Sequence, residues 1–510
     1  MESLRIFQRS LSTFSSGSSG SFRITPIDSL QVAGSSFDLE QGRVYLDLYP
    51  SDSLGEHKTT AKSPPLNFEL PKVVASRKKS TPPSRVDVIL HQQDLLSTYN
   101  ILLVLSIVSN LICLILATVG RLPSAKNHAA TVSVANVVTL VLCRSEVFLR
   151  CFFWLVVKFL GHRWVPLIIK TAVTSILQSV GGIHNGCGLS AVFWLVYAIV
   201  NAFMDRKANP ILILSIAFAI LVLFGFSILA AIPIVRHKHH NVFERTHRIA
   251  GWTSLALLWA FIMLKDGYDP ESKSYSVGGS LKSKVELWLT VVVTIIIMLP
   301  WLSMRKVPVK TVVSPSKNNS LIHFEGGVKP GLLARISRSP LSEWHAFGII
   351  SDGKSHTVLA GAVGDFTKGL VESPPSYIWV RSFHFAGLPY LTNLYGKVLH
   401  VATGSGICVF FSFLLQETKA DVHVIWITKS LSNSYGEEFH KIITSIPGDR
   451  LTVFDTAVTG RPKTVEVVVN KVKDWGAECV IVTSNPIGSN EIVGGCKAAG
   501  IPAFGPIWDS

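Results

Sequence analysis

The chain has 510 residues, 48% of them hydrophobic and only 16% charged, against roughly 25% charged in an average soluble protein, and its mean hydropathy is +0.39. Much of it must therefore sit in an apolar solvent, which excludes a wholly soluble enzyme, a disordered scaffold and a collagen-like fibre. Lys plus Arg number 48 against 33 Asp plus Glu, a formal charge of +15; with no compact basic patch interleaved with aromatics, this excess marks cytosolic anchoring of a membrane protein, not nucleic-acid binding.

From Met1 to about Gln93 the chain is polar and irregular, with a Ser/Gly tract at Ser15–Ser21 and proline-bearing segments at Ser63–Pro65 and Thr81–Pro83. This predicts a disordered cytosolic region over residues 1–94. Its first residues are short of acids and rich in Ser and Arg, as in a transit peptide, but the solvated-tail reading is preferred.

A helical membrane domain follows over residues 95–304. Tyr99–Gly120 is a nearly uncharged run long enough to cross a hydrocarbon core of about 30 Å. Further apolar stretches lie at about Ala130–Leu160, Ile176–Phe203, Ile211–Val235, His247–Leu264 and Val285–Leu302, making about six spans. Arg144, Glu146 and Arg150 interrupt the second, so it is either one kinked span with an internal ion-pair network or a span followed by an interfacial helix. The basic residues before the first span, Lys158 with Arg163, Arg236 with Lys238 and Arg245, and Arg305 with Lys306 and Lys310 all fall on one side if both termini are cytosolic. His237, His239 and His240 read as members of a solvated basic loop. The membrane itself, plasma membrane or endoplasmic reticulum, stays open.

Residues 305–396 carry short alternating runs, Ser320–Phe324, Phe347–Ser351, Val358–Ala360 and Ile378–Phe383, punctuated by Gly and Pro, which predict a small antiparallel β-barrel. Residues 397–510 alternate strand and helix, with strands at Val398–Ala402, Val422–Thr428, Leu451–Phe454 and Cys479–Thr483, and predict a parallel α/β domain. The seven cysteines form no CxxC and no Cys/His zinc spacing, which argues against structural zinc and a disulfide scaffold.

The strongest motif is Val401–Ile407, where Thr403-Gly404-Ser405-Gly406 follows a buried strand and opens a helix. Glycines there let backbone N–H groups approach a pyrophosphate. Lys429 and Ser430, at the tip of the next strand and followed by Tyr435, are placed where a dinucleotide ribose lies, and a Lys there points to a 2′-phosphate.

These residues resemble the nicotinamide-nucleotide signature of ferredoxin-NADP reductase-type domains. Trp344–Gly348 resembles the flavin-binding strand of the ferric reductase and NADPH oxidase families, and Gly364–Leu370 the loop that grips the FAD pyrophosphate. The whole plan resembles the TmpA-like group of integral membrane proteins, whose membrane and reductase module also occurs beside adenylate-forming domains. The resemblance implies NADPH and FAD as cofactors, with Thr403, Gly404, Ser405, Gly406, Lys429, Ser430 and Tyr435 on the nucleotide and His345, Phe347, Gly364 and Thr367 on the flavin. It also implies one haem b between His184 and His247, near the cytosolic ends of their spans, whereas Tyr197 and Phe261 stand where an outer haem would need histidines; read from the residues alone, the preferred alternative is that His184 and His247 are a pair of interfacial, hydrogen-bonded histidines. The pattern departs from the family at Gly348, Cys408-Val409 and Thr483–Pro486, around the hydride-transfer zone.

The expected function is a membrane-bound reductase passing electrons from NADPH through flavin to an acceptor in or at the membrane, with a partner enzyme at the membrane as a further implication. The rival is a non-catalytic membrane protein whose degenerate nucleotide domain serves signalling, development or surface-lipid assembly. A transporter is a further alternative, suggested by the charges of the second span.

Overall fold

The structure, a computed structural model, describes residues 37–38, 43–44, 97–276 and 281–507. The chain divides into Met1–Thr81 and Pro82–Ser510. In the first unit Phe37–Asp38 pairs antiparallel with Arg43–Val44; the region expected to be disordered otherwise lies outside the described residues.

The second unit opens with a helical bundle. Helix α1 (Thr98–Thr118) starts at Ser97, whose hydroxyl accepts from Asn100 N at 3.3 Å. A short helix α2 (Pro123–Asn127) leads into α3 (Ala129–Leu142), α4 (Glu146–Leu160), α5 (Leu167–Gln178), α6 (Val180–Met204), α7 (Ile211–Ala230), α8 (Pro233–Lys238), α9 (His240–Gly267) and α10 (Val285–Leu302). Among the described residues five helices are long and apolar enough to cross a membrane: Thr98–Thr118, Val180–Met204, Ile211–Ala230, Val242–Gly267 and Val285–Leu302.

The second expected span, Ala130–Leu160, is not one helix. It breaks at residues 143–145, where the Ser145 hydroxyl caps the next helix by accepting from Phe148 N at 3.4 Å. The charges after the break explain the division, because they bind the soluble part of the chain. Glu146 accepts from Arg381 Nη1 at 2.7 Å and pairs with Arg335, and Arg150 Nη1 donates to the His384 carbonyl at 2.9 Å. Phe153 and Leu177 join the core beneath the barrel, with Leu149, Val156, Val157 and Val173 packed beside them. Glu146→Ala leaves two arginines facing each other without their carboxylate and should destabilise this junction by about 3–5 kcal/mol. The readout is the thermal midpoint of the full chain in detergent; an unchanged midpoint would remove the triad from its role.

Seven main strands then form an antiparallel sheet: β1 (Met304–Pro308), β2 (Lys310–Val313), β3 (Asn319–Glu325), β4 (Leu332–Ser337), β5 (His345–Ser351), β6 (Ser355–Gly361) and β7 (Tyr377–Arg381). The order β1-β7-β4-β5-β6-β3-β2, with β8 (Phe385–Ala386) beside β4, puts consecutive strands β1 and β2 at opposite ends of the path. Val309, between them, donates its N–H to the Ser376 carbonyl at 2.9 Å, so the path curls until its ends meet. Helix α11 (Asp365–Glu372) lies between β6 and β7.

The last part is a five-stranded parallel sheet with helices between its strands. The strands are β9 (Lys397–Thr403), β10 (Asp421–Thr428), β11 (Leu451–Asp455), β12 (Cys479–Thr483) and β13 (Ala503–Phe504), in the order β11-β10-β9-β12-β13. The helices are α12 (Cys408–Leu415), α13 (Leu431–Thr444), α14 (Thr464–Trp475) and α15 (Pro486–Ala498). Central β9 is buried over most of its length, and the direction of strand addition reverses there, so the ends of β9 and β12 flank a crevice of the kind that takes ligands in open α/β sheets.

This core holds its histidines neutral. His400 on β9 is fully buried, stacks on Phe410 at 4.0 Å and meets the Thr392 hydroxyl at 2.9 Å; burial drives its pKa down to about 3. Burial also lowers His384 and His423 to about 4. An unfolded histidine protonates near 6.5, so between about 6.5 and these lowered values the unfolded chain holds protons that the folded chain refuses, and stability falls as pH drops through that window. The thermal midpoint should decline from about pH 7 to about pH 5, and less steeply in His400→Gln; an equal slope in both chains would contradict the assignment.

Candidate functional site: a glycine turn and a histidine-faced cavity

The glycine motif stands at the end of β9, in the crevice that the sheet order creates. Gly404 has φ +54°, a left-handed conformation, and a Cβ built there would meet nothing nearer than the Tyr435 hydroxyl at 4.0 Å. Gly406 is different. A Cβ there would lie 2.9 Å from the Thr483 carbonyl oxygen, so this glycine exists to let β9's turn pack against β12. Residues 403–406 are half-buried, Trp426 Nε1 donates to the Gly404 carbonyl at 2.9 Å, and the Thr403 and Ser484 hydroxyls meet at 2.7 Å. The Ser405 hydroxyl turns toward the barrel, 2.8 Å from where a Cβ on Gly361 would be.

Lys429 is exposed beside this turn. Ser430 is not free to bind a phosphate through its backbone: its N–H donates to Asp455 Oδ1 and that of Leu431 to Asp455 Oδ2, each at 2.8 Å. An acid on β11 thus occupies the backbone donors at this tip, while the Lys429 side chain expected to meet a 2′-phosphate stays exposed. Tyr435, expected on the cofactor, is a core residue; its ring packs on Trp426 and Phe439 at 5.1 Å each, its hydroxyl accepts from Thr428 Oγ1 at 3.2 Å, and burial pushes its pKa up to about 12.

On the barrel, His345 and Phe347 lie on the same strand, but Phe366 of α11 stacks on the His345 ring at 4.2 Å, while Phe347, 6.3 Å from Phe366, stays half-exposed. The segment expected as a pyrophosphate loop opens α11 instead. The Thr367 hydroxyl accepts from Gly364 N and Val363 N at 3.1 Å, while a Cβ on Gly364 would meet nothing within 4 Å. The open glycine suits a phosphate; the covered ring face does not suit a flavin ring. Gly348 has a packing reason, since a Cβ there would fall 2.5 Å from Val409 Cγ1 and 2.6 Å from Cys408 Sγ. Burial pushes the Cys408 thiol up to about 12 and Cys496 to about 11, so neither supplies a thiolate near neutral pH.

The second feature is a cavity of about 2400 Å³ among the helices, reaching the soluble domain at Pro486 and Ser489. His184 on α6 and His247 on α9 face each other across it, ring centroids 6.5 Å apart and planes tilted by 49°. His184 Nδ1 meets the Leu140 carbonyl at 2.8 Å, which fixes its ring, and His247 Nδ1 is buried without a hydrogen-bond partner. One turn beyond each histidine stands a glycine, Gly188 and Gly251, where a Cβ would meet nothing within 4 Å; both line the cavity. Arg144 lines it as well. Metal–imidazole bonds of about 2 Å on each side of one ion place two ring centres about 6 Å apart, so the residues fit a bis-histidine haem slot. Tyr197 packs on Trp194, 6.2 Å between ring centroids, and Phe261 lines the cavity. Neither offers a second imidazole pair.

The chain thus joins a helical bundle with a histidine-faced cavity to an antiparallel barrel and a parallel α/β sheet. Residues 388–510 match the family model described as "Adenylate-forming reductase 03009, C-terminal domain". Over 385 residues, 74% of the chain, the sequence is 34% identical to adenylate-forming reductase 06235 of Coprinopsis cinerea, and over 395 residues, 75% of the chain, it is 31% identical to adenylate-forming reductase 03009 of the same fungus. The chain spans 37% of the length of each of these relatives. Among solved structures, it is similar to a ferredoxin-NADP+ reductase from Plasmodium falciparum with 2'P-AMP, at 12% identity and TM-score 0.29 over 38% of this chain and 91% of that one. It is also similar to a flavohemoglobin from Malassezia yamatoensis with bound FAD and heme, at 11% identity and TM-score 0.34 over 60% of this chain and 97% of that one.

Proposed function

We propose that the chain is a membrane-embedded reductase module that binds a nicotinamide nucleotide at the Thr403–Gly406 turn and delivers electrons to a haem held between His184 and His247, with the soluble part in the cytosol. The observation that carries this reading is the pairing of an open left-handed glycine at the sheet's crevice with two facing histidines, each followed by a glycine that leaves room, in a cavity that reaches the soluble domain. In this reading the bilayer is crossed six times, by the five long helices and by residues 123–142, where α2 and α3 follow each other with one residue between them and together have the length a crossing needs, and α4 with α5 stays on the cytosolic side.

Each residue has a defined task. Gly404 keeps the turn open to the pyrophosphate, and the N–H groups that begin the helical segment after it hold the negative charge. Thr403 and Ser484 tie the turn to the start of α15, whose first residues line the cavity. A flavin, when bound, divides a hydride pair into single electrons. Its ring would have no room on His345, whose face Phe366 already covers.

Nucleotide choice rests on Lys429 against Asp455. Lys429→Ala should weaken NADPH about tenfold more than NADH, as loss of one charge-assisted bond to the 2′-phosphate, and Asp455→Asn should shift preference further toward NADPH. The test is equilibrium binding of both nucleotides to the full chain. Equal losses in Lys429→Ala would remove the lysine from this role, and no binding of either nucleotide by the parent chain would remove the reading.

The covered flavin face and the acid beneath Ser430 favour one rival reading, a nucleotide-sensing membrane protein that does not turn over. Flavin absorption in the purified chain after supply of FAD separates the two; a colourless protein that still binds nucleotide supports the rival.

A further inference from the structure

Helices α4 and α5 carry more exposed apolar surface than a water-facing element of a soluble domain sustains. On α4, Phe148, Phe152, Leu155 and Phe159 recur at helical spacing and are exposed, Phe159 by 62%. The loop and α5 continue the patch through Trp164 at 77%, Ile168 at 76%, Ile169 and Ile176. These side chains are not the ones that hold the soluble part: the neighbouring arc of α4 (Leu149, Phe153, Val156, Val157) is packed into the barrel's core.

Neither helix spans a bilayer. At about 1.5 Å per residue, 15 residues of α4 reach about 22 Å and 12 residues of α5 about 18 Å, short of a hydrocarbon core of about 30 Å. Both are also bolted to the soluble part. Besides the Glu146 triad, the Thr174 hydroxyl meets Tyr395 OH at 2.7 Å, Lys419 Nζ donates to the Gly161 carbonyl, and a Cβ on Gly161 would lie 3.0 Å from the Asn393 carbonyl oxygen. The edge of the patch is amphipathic. Lys158 Nζ sits 5.0 Å over the Trp154 ring and His162 stacks on Trp164, the mixture of aromatic and basic groups that suits a headgroup layer.

From this we infer that residues 146–178 form a hairpin lying in the plane of the membrane, its outer apolar face sunk into the headgroup and acyl boundary of the leaflet next to the soluble domain. The occupant of the patch is lipid, because the patch continues the exposed apolar belt of the long helices and no other element of the described residues covers it. The hairpin is therefore a lever that holds the nucleotide domain at one height and tilt above the cavity. This inference rests on the membrane reading, not on nucleotide or haem binding.

The test uses the full chain in phosphatidylcholine vesicles, its native cysteines replaced and a single Cys introduced at Phe152, Phe159 or Ile168 for an environment-sensitive dye. Leu105 on α1 and Lys429 on the soluble domain serve as controls. The three hairpin dyes should be quenched more by lipid carrying a spin label near the headgroup than by lipid labelled near the chain end, and should be shielded from aqueous iodide. Leu105 should show the deeper pattern and Lys429 the aqueous one. Deep quenching like that of Leu105 would make the segment a span, iodide access like that of Lys429 would leave it in water, and shielding from both quenchers would mean that protein covers it; each overturns the inference. A Leu105 dye that lipid does not quench would overturn the membrane reading itself.

Discussion

Gly404→Val should abolish nucleotide binding, by about 100-fold or more, while leaving the parallel sheet folded. A β-branched residue is strained at φ +54°, and its methyl groups would project into the one direction from the turn that the protein leaves open, since only the Tyr435 hydroxyl lies as near as 4.0 Å to the Cβ position. Gly406→Val supplies the contrast. Its Cβ would collide with the Thr483 carbonyl, so it should lower the thermal midpoint as well as binding. If Gly404→Val binds nucleotide as the parent does, the open side of the turn is not a phosphate site.

His184→Ala and His247→Ala should each remove the haem, because each ring would supply one of the two imidazoles that hold it. The parent chain prepared with haem supplied should hold about one per chain. The two variants differ from Arg144→Gln, which lines the same cavity without an imidazole and should leave low-spin haem bound. Two haems per chain would require ligands beyond this pair, and haem retained in both alanine variants would move the site elsewhere.

How much of this was legible in the sequence varies with how local the cause is. The strands around the glycine turn could be read because buried β-branched runs bounded by Gly are a local signal; β9, β10 and β12 fall where the apolar runs place them. The facing of His184 and His247 was also legible, since both follow from helix depth and one shared side. The break after Leu142 was legible only as one of two alternatives, a span followed by a second helix rather than one kinked span. Hydropathy cannot distinguish a face that meets lipid from one that meets the barrel's core, and only Arg144, Glu146, Arg150 and the capping Ser145 hint at it.

Tyr435 carries two signals at once. Its place after Lys429-Ser430 resembles a nucleotide contact, yet its ring is buried with Phe439 and Ile443 on the far side of a kink at Gly436, which the sequence marks only by that glycine. Asp455 had no local signal at all. It sits on β11, 25 residues from Ser430, and only the parallel pairing of β10 with β11 brings its carboxylate to those N–H groups. Phe366 likewise reaches His345 only once α11 has formed and packed against the barrel.

In the proposed function one chain joins nucleotide oxidation to reduction of a haem in the cavity of the helical bundle. The direct measurement is the visible spectrum of the purified full chain, supplied with haem and FAD, before and after anaerobic addition of reduced nicotinamide nucleotide. The account predicts a low-spin oxidised spectrum that converts to the reduced form, no haem spectrum in His247→Ala, and bound but unreduced haem in Gly404→Val. A haem that stays oxidised on addition of nucleotide yet is reduced by dithionite, or a preparation with no haem spectrum, would contradict it.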